Sequence, residues 1–341
     1  MFASLSQLAS RSFMIGSVLP VLVTCVLGLY LFPDPLGDFG PFLTDPEAFD
    51  KIAYVAVAVW ASAVVLSMAS TAQYRLLQGY SWPISRLSCW KASELARFTE
   101  DSKSAENLEK KRDEGNGVAA AIEGELTLAY CKLRQEFPTK ARLLPTRFGN
   151  RVRAFEDYAG IVYGVDAVMI WSSMSTVIPK EYLERIDNAR ANVDFLVNMI
   201  FMLLGLAALA AVRVVYLSLS ATVPHEEFVK LVGACAILPL VARCAYRFSL
   251  TAIAPWGDLV KGAFDNYLPA LAAQWGYEVP KTFAERRTFW EEVSQQVTFQ
   301  IPVVPEKWHP KRSLPKQHLL SRPASLEPVG MNNRGRKVSH F

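Results

Sequence analysis

The sequence predicts a mainly α integral membrane protein with four transmembrane helices and a largely helical cytoplasmic domain. Hydrophobic residues make up 51% of the 341 residues, whereas 20% are charged. Long apolar runs occupy 13–32, 52–69, 195–212 and 228–242, and a charged stretch separates the first two from the last two. Because a helix needs about 20 apolar residues to cross the roughly 30 Å hydrocarbon core of a bilayer, each run is a candidate membrane span.

The first two runs contain no charged residue. The run 13–32 includes Pro20, which a bilayer helix tolerates because neighbouring groups satisfy the freed carbonyl. No small-x-small cleavage site follows this run at the right distance, so we expect an uncleaved signal anchor rather than a secretory signal peptide. The run 52–69 places Tyr54 and Trp60 among small and β-branched residues.

The last two runs differ in strength. The run 195–212 is the richest in Leu, Met and Ala, and Arg213 follows it directly. The run 228–242 is shorter and contains Lys230 and Pro239. For this last run the length also allows a buried or re-entrant helix, and that alternative stays open.

The distribution of Lys and Arg predicts the orientation. The connections 33–50 and 219–227 contain neither residue, whereas 71–194 contains eighteen of them. Basic residues also follow the fourth run, at Arg243 and Arg247. Since cytoplasmic segments next to spans carry the excess of Lys and Arg, we expect both termini and the central loop in the cytoplasm.

The chain therefore divides into six predicted regions: 1–12 as the cytoplasmic N-terminus, 13–70 as the first helix pair, 71–194 as the cytoplasmic domain, 195–247 as the second pair, 248–306 as a cytoplasmic helical region and 307–341 as a tail. The tail is basic and rich in proline, so we expect it to be disordered and to hold anionic lipid. None of the five cysteines lies in an external connection, and none forms a C-x-x-C pair. We therefore expect no disulfide, no metal and no cofactor.

The most distinctive segment is 143–171, which concentrates arginines and acids. The candidate ligand-binding residues are Arg147, Asn150, Arg151, Arg153, Glu156 and Asp166. Guanidinium groups pair bidentately with phosphate and carboxylate oxygens, so one interpretation is a site for an anionic headgroup or a phosphate. The favoured alternative is an internal network of arginines with Glu and Asp. We also expect a loop at Gly149 and Asn150 and a short β-like run at 161–163.

The remaining polar segments are predicted to be helical. Aromatic and basic residues in 73–97 indicate a helix at the membrane surface or, equally, a cytosolic helix with a core face. In 118–137 an apolar stripe consists of Ile122, Leu126, Tyr130 and Leu133. Pro179 favours the start of a helix that continues without a break into the third run. We expect two amphipathic helices in 256–296, with Asp265 and Tyr267 pairing with the arginine-rich loop.

Two strings carry a resemblance. L-P-T-R-x-G-N-x-x-R-A-x-E at 144–156 and Y-G-x-D-A-x-x-x-W at 163–171 resemble an uncharacterised group of bacterial membrane proteins with about four spans. The stretch 256–291 adds to the likeness, although Asp258 intervenes after Gly257. The resemblance implies a bacterial source, hence the inner membrane, and a shared fold. It implies no mechanism.

The sequence lacks the motifs of several common enzyme classes. The sequence contains no G-x-x-x-x-G-K loop, no G-x-S-x-G elbow and no H-E-x-x-H, and it has only four histidines. These absences argue against a nucleotide-binding loop, a catalytic triad and a catalytic metal, so no catalytic residue is predicted. No Asp or Glu lies in the middle of a run, which disfavours ion-coupled transport.

Two classes of function remain. In the first, a non-enzymatic membrane protein docks a partner or senses a signal through its cytoplasmic domain, and the spans act as an anchor or as a homo-oligomeric pore. Small residues at Gly205, Ala207 and Ala211 suit helix–helix contact between chains, although packing within one bundle is the favoured use. In the second, the protein is an enzyme or binding protein for an anionic lipid or a phosphorylated ligand. Anionic membrane lipids are expected partners in either class, and nucleic acid is disfavoured.

Overall fold

The computed structural model describes residues 10–32, 47–115, 119–219 and 225–300. Across these ranges every regular element is helical, which confirms the mainly α class. Two short 3₁₀ turns occur at Ile84–Arg86 and Lys140–Arg142. The ten longer helices are α1 (Arg11–Leu31), α2 (Glu47–Gln78), α3 (Ser88–Asp113), α4 (Ala119–Glu136), α5 (Arg147–Glu156), α6 (Tyr158–Tyr163), α7 (Ala167–Val177), α8 (Lys180–Ser218), α9 (His225–Gln274) and α10 (Phe283–Phe299). The predicted basic tail at 307–341 lies outside the described residues.

The helices α8 and α9 form the central pair. They contain 39 and 50 residues, which at 1.5 Å per residue gives lengths of roughly 58 and 75 Å. Their apolar halves pack on each other through a cluster that includes Leu203, Ala210 and Leu231. Their polar halves belong to a second cluster built around Phe264. Each of these two helices therefore runs through both the apolar and the polar part of the molecule.

Four helices, α1, α2, α8 and α9, are long and apolar enough to cross a membrane. Their outward surfaces carry large apolar side chains that are at least 60% exposed, among them Val26, Val57, Met68, Val212 and Ile237. Leaving such side chains in water costs about 25 cal/mol per Å² of apolar surface. A helix that is apolar around its whole circumference is typical of a membrane span.

The fourth apolar run is one part of a much longer helix. Residues 228–242 lie inside α9, which continues to Gln274. The first of the two amphipathic helices expected in 256–296 is therefore the continuation of α9, and only α10 is separate. Pro255 and Pro269 lie within α9, where each removes one backbone hydrogen bond without ending the helix. In contrast, the expected continuity from Pro179 into the third run is confirmed, because Pro179 is the N-cap of α8.

Buried polar contacts join α1 and α2 to α8. The segment Met14–Val18 of α1 is π-helical, and the carbonyl of Gly16 accepts a 2.7 Å hydrogen bond from Nδ2 of Asn198. A Cβ at Gly16 would lie 3.2 Å from the Cβ of Asp194, so the two helices approach closely here. On the next helix, the Tyr74 hydroxyl donates to Asp194 Oδ1 at 2.6 Å. Asp194 therefore lies where α1, α2 and α8 meet.

The polar part is built around the N-terminal half of α8 and the C-terminal half of α9. The helices α5, α6, α7 and α10 supply fully buried side chains such as Phe148, Ile170 and Phe289 to its core. Two local expectations were wrong. Gly149 and Asn150 lie inside α5, because Thr146 caps this helix by accepting from Gly149 N at 3.0 Å. The run expected to be β-like, 161–163, belongs to α6, which ends at Gly164 with φ +82°.

The helices α3 and α4 form an antiparallel hairpin beside this core. The helical segment expected over 73–97 is interrupted, because α2 ends at Gln78, Gly79 adopts φ +85° and α3 begins at Ser88. The apolar stripe expected in α4 is present, with Leu126 only 4% exposed against α3. The hairpin contacts the rest of the molecule mainly at its base, through α5.

Gly149→Ala is expected to destabilise the fold, because a Cβ at this position would overlap the backbone carbonyl of Gln78. Overpacking of this kind costs about 1–3 kcal/mol. Gly124→Ala is the matched control, since a Cβ on this residue of α4 meets no atom within 4 Å, and Ala is favoured over Gly in a helix by about 1 kcal/mol. Thermal unfolding in detergent measures both variants. A Tm for Gly149→Ala equal to that of Gly124→Ala would contradict the close approach of α5 to the end of α2.

Candidate functional site

Two of the predicted site residues, Arg153 and Glu156, belong to an internal ion-pair network. Arg153 lies 3.3 Å from Glu156 Oε2 and 3.3 Å from Asp157 Oδ1. Asp157 also accepts from Arg142 at 2.6 Å, and its side chain is 3% exposed. These contacts join α5 to the turn that precedes it. They favour the structural interpretation of the arginines over ligand binding.

Asn150 and Arg151 are also committed to internal contacts. The Asn150 side chain is fully buried and bonds to the backbone N–H and carbonyl of Leu144 at 2.7 and 3.1 Å. Arg151 donates to the carbonyl of Leu250 in α9 and to Glu136 Oε1 in α4, the latter at 2.6 Å. One arginine therefore fixes α5 to two other helices.

Asp166 stabilises the start of a helix. Its carboxylate accepts from the backbone N–H groups of Val168 and Met169 at 3.1 and 3.2 Å, which makes it the N-cap of α7. Its own N–H donates to Ser294 Oγ of α10 at 3.0 Å. An Asp at an N-cap satisfies helix N–H groups that have no other partner, so its role here is structural.

Arg147 behaves differently from the other five predicted site residues. Its side chain is 54% exposed, and its only ion pair with a described residue is a loose one, 3.6 Å from Nε to Glu94 Oε1. It lines a cleft of about 420 Å³ at the junction of α3, α5 and α9, together with Arg243 and Arg247. The aromatic walls of this cleft are Trp90 and Tyr246. We call this feature the basic cleft.

Two arginines of the basic cleft were not predicted as site residues. In the sequence, Arg243 and Arg247 served only to orient the fourth run. Their spacing of four residues on one helix is the signal that was available, since it places both side chains on the same face. Nothing in the sequence pairs them with Arg147, because α9 and α5 are distant along the chain.

A second cleft, of about 360 Å³, is lined by acids. Glu156, Asp157 and Asp166 face Glu291 of α10 across it, with Arg153 alongside. Burial raises the pKa of Glu156, and this effect exceeds the opposing effect of Arg153. Over the described ranges, no group of three or more His, Cys, Asp or Glu side chains is placed to hold a metal ion.

Asp265 joins α9 to α6 through two tyrosines, not through arginines. The hydroxyls of Tyr158 and Tyr163 in α6 donate to its Oδ1 at 2.8 and 2.7 Å. Desolvation, the hydrogen bond and the charge of Asp265 together raise the pKa of Tyr158 to about 12. Tyr267 packs edge-on against Tyr182 of α8, with ring centroids 5.5 Å apart. Asp265 therefore contacts the segment 143–171, as expected, through two tyrosines of that segment and not through its arginines, whereas the expected contact of Tyr267 is replaced by one with α8.

The three small residues of α8 do not share one environment. Ala207 is 8% exposed within the α8–α9 core, where its carbonyl lies 3.9 Å from Cys235 Sγ. Gly205 and Ala211 are exposed. Ala207 thus packs within the chain, as the favoured alternative has it. Contact of Gly205 or Ala211 with another chain stays a prediction.

Glu156→Gln is expected to raise the Tm at neutral pH. A carboxyl whose pKa is raised in the folded protein stabilises it at pH values below the unfolded pKa, and this contribution is lost as pH rises through the folded pKa. The gain over wild type should therefore shrink as pH falls towards the ordinary pKa of 4.5. Thermal unfolding across pH 4 to 8 tests this, with the exposed Glu125→Gln as control. A gain that does not depend on pH would refute the role of burial.

The comparisons with known proteins leave the function to be argued from this geometry. No protein-family model, no curated protein and no solved structure matches the chain. The resemblance of 144–156 and 163–171 to a group of bacterial membrane proteins therefore stays a prediction.

Proposed function

We propose that the protein is a non-enzymatic integral membrane protein in which four apolar helices anchor a helical polar domain that docks a protein partner. The polar domain faces the cytoplasm, and the membrane is a bacterial inner membrane. The observation that carries the proposal is the α3–α4 hairpin, which extends from the core and has little internal packing of its own. In the alternative within the same class, chains assemble as a homo-oligomeric pore.

The apolar helices support the anchoring role. Four helices have the length and composition of membrane spans, and their outward side chains need an apolar surrounding. The distribution of Lys and Arg supports the orientation, because the eighteen in 71–194 contrast with none in 33–50 or 219–227.

The base of the α3–α4 hairpin is held firmly. Arg97 contacts Glu94 and Glu136, each at 2.8 Å, and its guanidinium lies 5.2 Å from the ring centroid of Phe137. Glu136 also pairs with Arg151 of α5 at 2.6 Å. These contacts fix the direction in which the hairpin leaves the core.

Beyond its base, the hairpin buries few apolar groups. Ala105 and Leu126 are its buried hydrophobic residues in the described part, and ion pairs such as Lys132–Asp101 at 2.7 Å join the exposed flanks. Exposed ion pairs are worth about 0–1 kcal/mol each, and most of the stability of a helix in a protein comes from tertiary packing of its apolar face. A partner that covers one flank would supply the missing packing.

One face of α4 is the flank best suited to a partner, because its Leu128 and Cys131 line an open cleft of about 320 Å³ between α4 and α9. Gly124, Leu128 and Cys131 lie three or four residues apart, so they share one side of the helix. All three are exposed, and Leu128 is 72% exposed. This small apolar strip points away from α3, because Leu126 and Tyr130 face that helix. We infer that the partner docks on this strip.

The orientation is tested by labelling single-cysteine proteins with a membrane-impermeant maleimide. One variant retains only Cys131, and the other carries Glu226→Cys in a background without other cysteines; both positions are exposed. Glu226→Cys should react in spheroplasts of an expressing bacterium, whereas Cys131 should react only after permeabilisation. Labelling of Cys131 in intact spheroplasts would contradict the cytoplasmic placement.

Docking is tested with Leu128→Glu in the full chain. The protein is extracted from its own membranes in mild detergent, and its native mass and co-purifying proteins are determined. Leu128→Glu should lose a partner that copurifies stoichiometrically with wild type, because a carboxylate would replace the apolar side chain that the partner covers, and desolvating it is unfavourable. Ser104→Glu adds the same charge at an exposed position of α3 and should retain the partner.

The same measurement decides between the versions of the proposal. A homo-oligomer without another protein would refute partner docking and favour the pore-type assembly, with Gly205 and Ala211 as its first candidate contacts. Equal retention of the partner by Leu128→Glu and Ser104→Glu would exclude the face of α4 that carries Leu128 as the docking surface.

A further inference from the structure

We propose that the basic cleft binds a phosphate group, with Arg147, Arg243 and Arg247 as its ligands. The three arginines line one cleft of about 420 Å³, large enough for a headgroup with bound water. Planar guanidinium groups bind phosphate oxygens through paired N–H donors, which is the chemistry that these residues share.

The charge balance of the basic cleft is positive. Arg243 and Arg247 are exposed, and neither makes an ion pair or a side-chain hydrogen bond with any residue of the described ranges. They are one turn apart on α9, so their side chains point in the same direction. The one carboxylate in the cleft, Glu94, accepts from Arg97 at 2.8 Å and from Asn150 at 3.0 Å. Its charge is therefore shared with a guanidinium outside the cleft.

The arginines of the polar core provide the contrast. Arg151 and Arg153 lie in the same helix as Arg147, yet each contacts a carboxylate within 3.3 Å. Arg151 and Arg153 are held in internal ion pairs, whereas the arginines of the basic cleft keep N–H donors available for a ligand. Tyr246 contributes to the wall, since its hydroxyl accepts from the N–H of Phe148 at 3.4 Å and so fixes α9 against the first turn of α5.

The position of the basic cleft favours a lipid headgroup as the source of the phosphate. Arg243 directly follows the apolar run 228–242. Tyr80, Trp82 and Trp90 on the neighbouring segment are 43%, 73% and 47% exposed, and exposed Tyr and Trp favour the headgroup zone. Only this choice of source depends on the proposed membrane anchoring. A soluble phosphate monoester would use the same three arginines.

The test measures binding to the purified full-length chain in a neutral detergent. The probes are phosphatidic acid, phosphatidylcholine and glycerol 3-phosphate, followed by native mass spectrometry and titration. Phosphatidic acid should bind more tightly than phosphatidylcholine, whose choline opposes the arginines. The double variant Arg243→Gln/Arg247→Gln should weaken phosphatidic acid binding at least about tenfold, because a charge-assisted hydrogen bond contributes roughly one factor of ten.

The matched control is Arg75→Gln/Arg86→Gln. It removes the same charge from exposed arginines near the polar end of α2, outside the cleft, and should retain wild-type binding. Unfolding of each variant verifies its fold. If the cleft double variant unfolds, the single variants Arg243→Gln and Arg247→Gln serve instead, each with a smaller expected loss.

Each outcome has a defined meaning. Binding of phosphatidic acid alone, dependent on the cleft arginines, supports the lipid source. Binding of glycerol 3-phosphate with the same dependence supports the phosphate site and assigns it a soluble ligand. Wild-type binding by the cleft variant, or equal loss in the control, overturns the proposal. Partner docking is tested separately, by Leu128→Glu.

Discussion

The continuity of α8 and α9 is the constraint on which the rest of the structure depends. Each helix contributes to the apolar core with one half and to the polar core with the other. Because each helix is continuous through both cores, a movement of one core relative to the other would have to bend α8 and α9. Most of the remaining helices pack against this pair, whereas α10 packs mainly on α6 and α7, and the α3–α4 hairpin packs on α5. In the proposed membrane anchor, this continuity would hold the polar domain at a fixed orientation instead of on a flexible linker.

Polar contacts at the junction of the two cores fix the other apolar helices to this pair. Asn198 is 2% exposed and donates a hydrogen bond to the carbonyl of Gly16, while Asp194 accepts a hydrogen bond from the Tyr74 hydroxyl. A buried polar group without a partner costs about 1–3 kcal/mol, so such contacts favour one arrangement over shifted ones. Arg190 extends the junction, with its guanidinium 5.9 Å from the ring centroids of both Tyr74 and Trp256. Through Arg190, α2, α8 and α9 meet at one level.

Structural features that follow from long apolar runs are predicted well from the sequence. Features that depend on one to three residues are missed. The helical class follows from apolar runs, and the unbroken α8 follows from Pro179 and the run after it. The unbroken α9 was not predicted. A proline inside a helix removes a backbone hydrogen bond and usually kinks or ends it, yet Pro239, Pro255 and Pro269 all lie within α9. Similarly, three β-branched or aromatic residues at 161–163 are too few to outweigh their surroundings, and Gly164 with φ +82° provides the end of α6.

The site was predictable only in part, for a related reason. Arg147 could be singled out by its residue type. Whether an arginine is used in an internal ion pair, however, depends on neighbours that are distant along the chain. Arg151 reaches Glu136 and α9, whereas Arg147 reaches only Glu94 at 3.6 Å. Glu94 also holds Arg97 at the base of the hairpin. An anion bound by Arg147 would compete with Glu94 for the same guanidinium, and Glu94 would then pair more fully with Arg97. The basic cleft and the base of the docking hairpin therefore share one carboxylate, which gives the two proposed sites a direct physical connection.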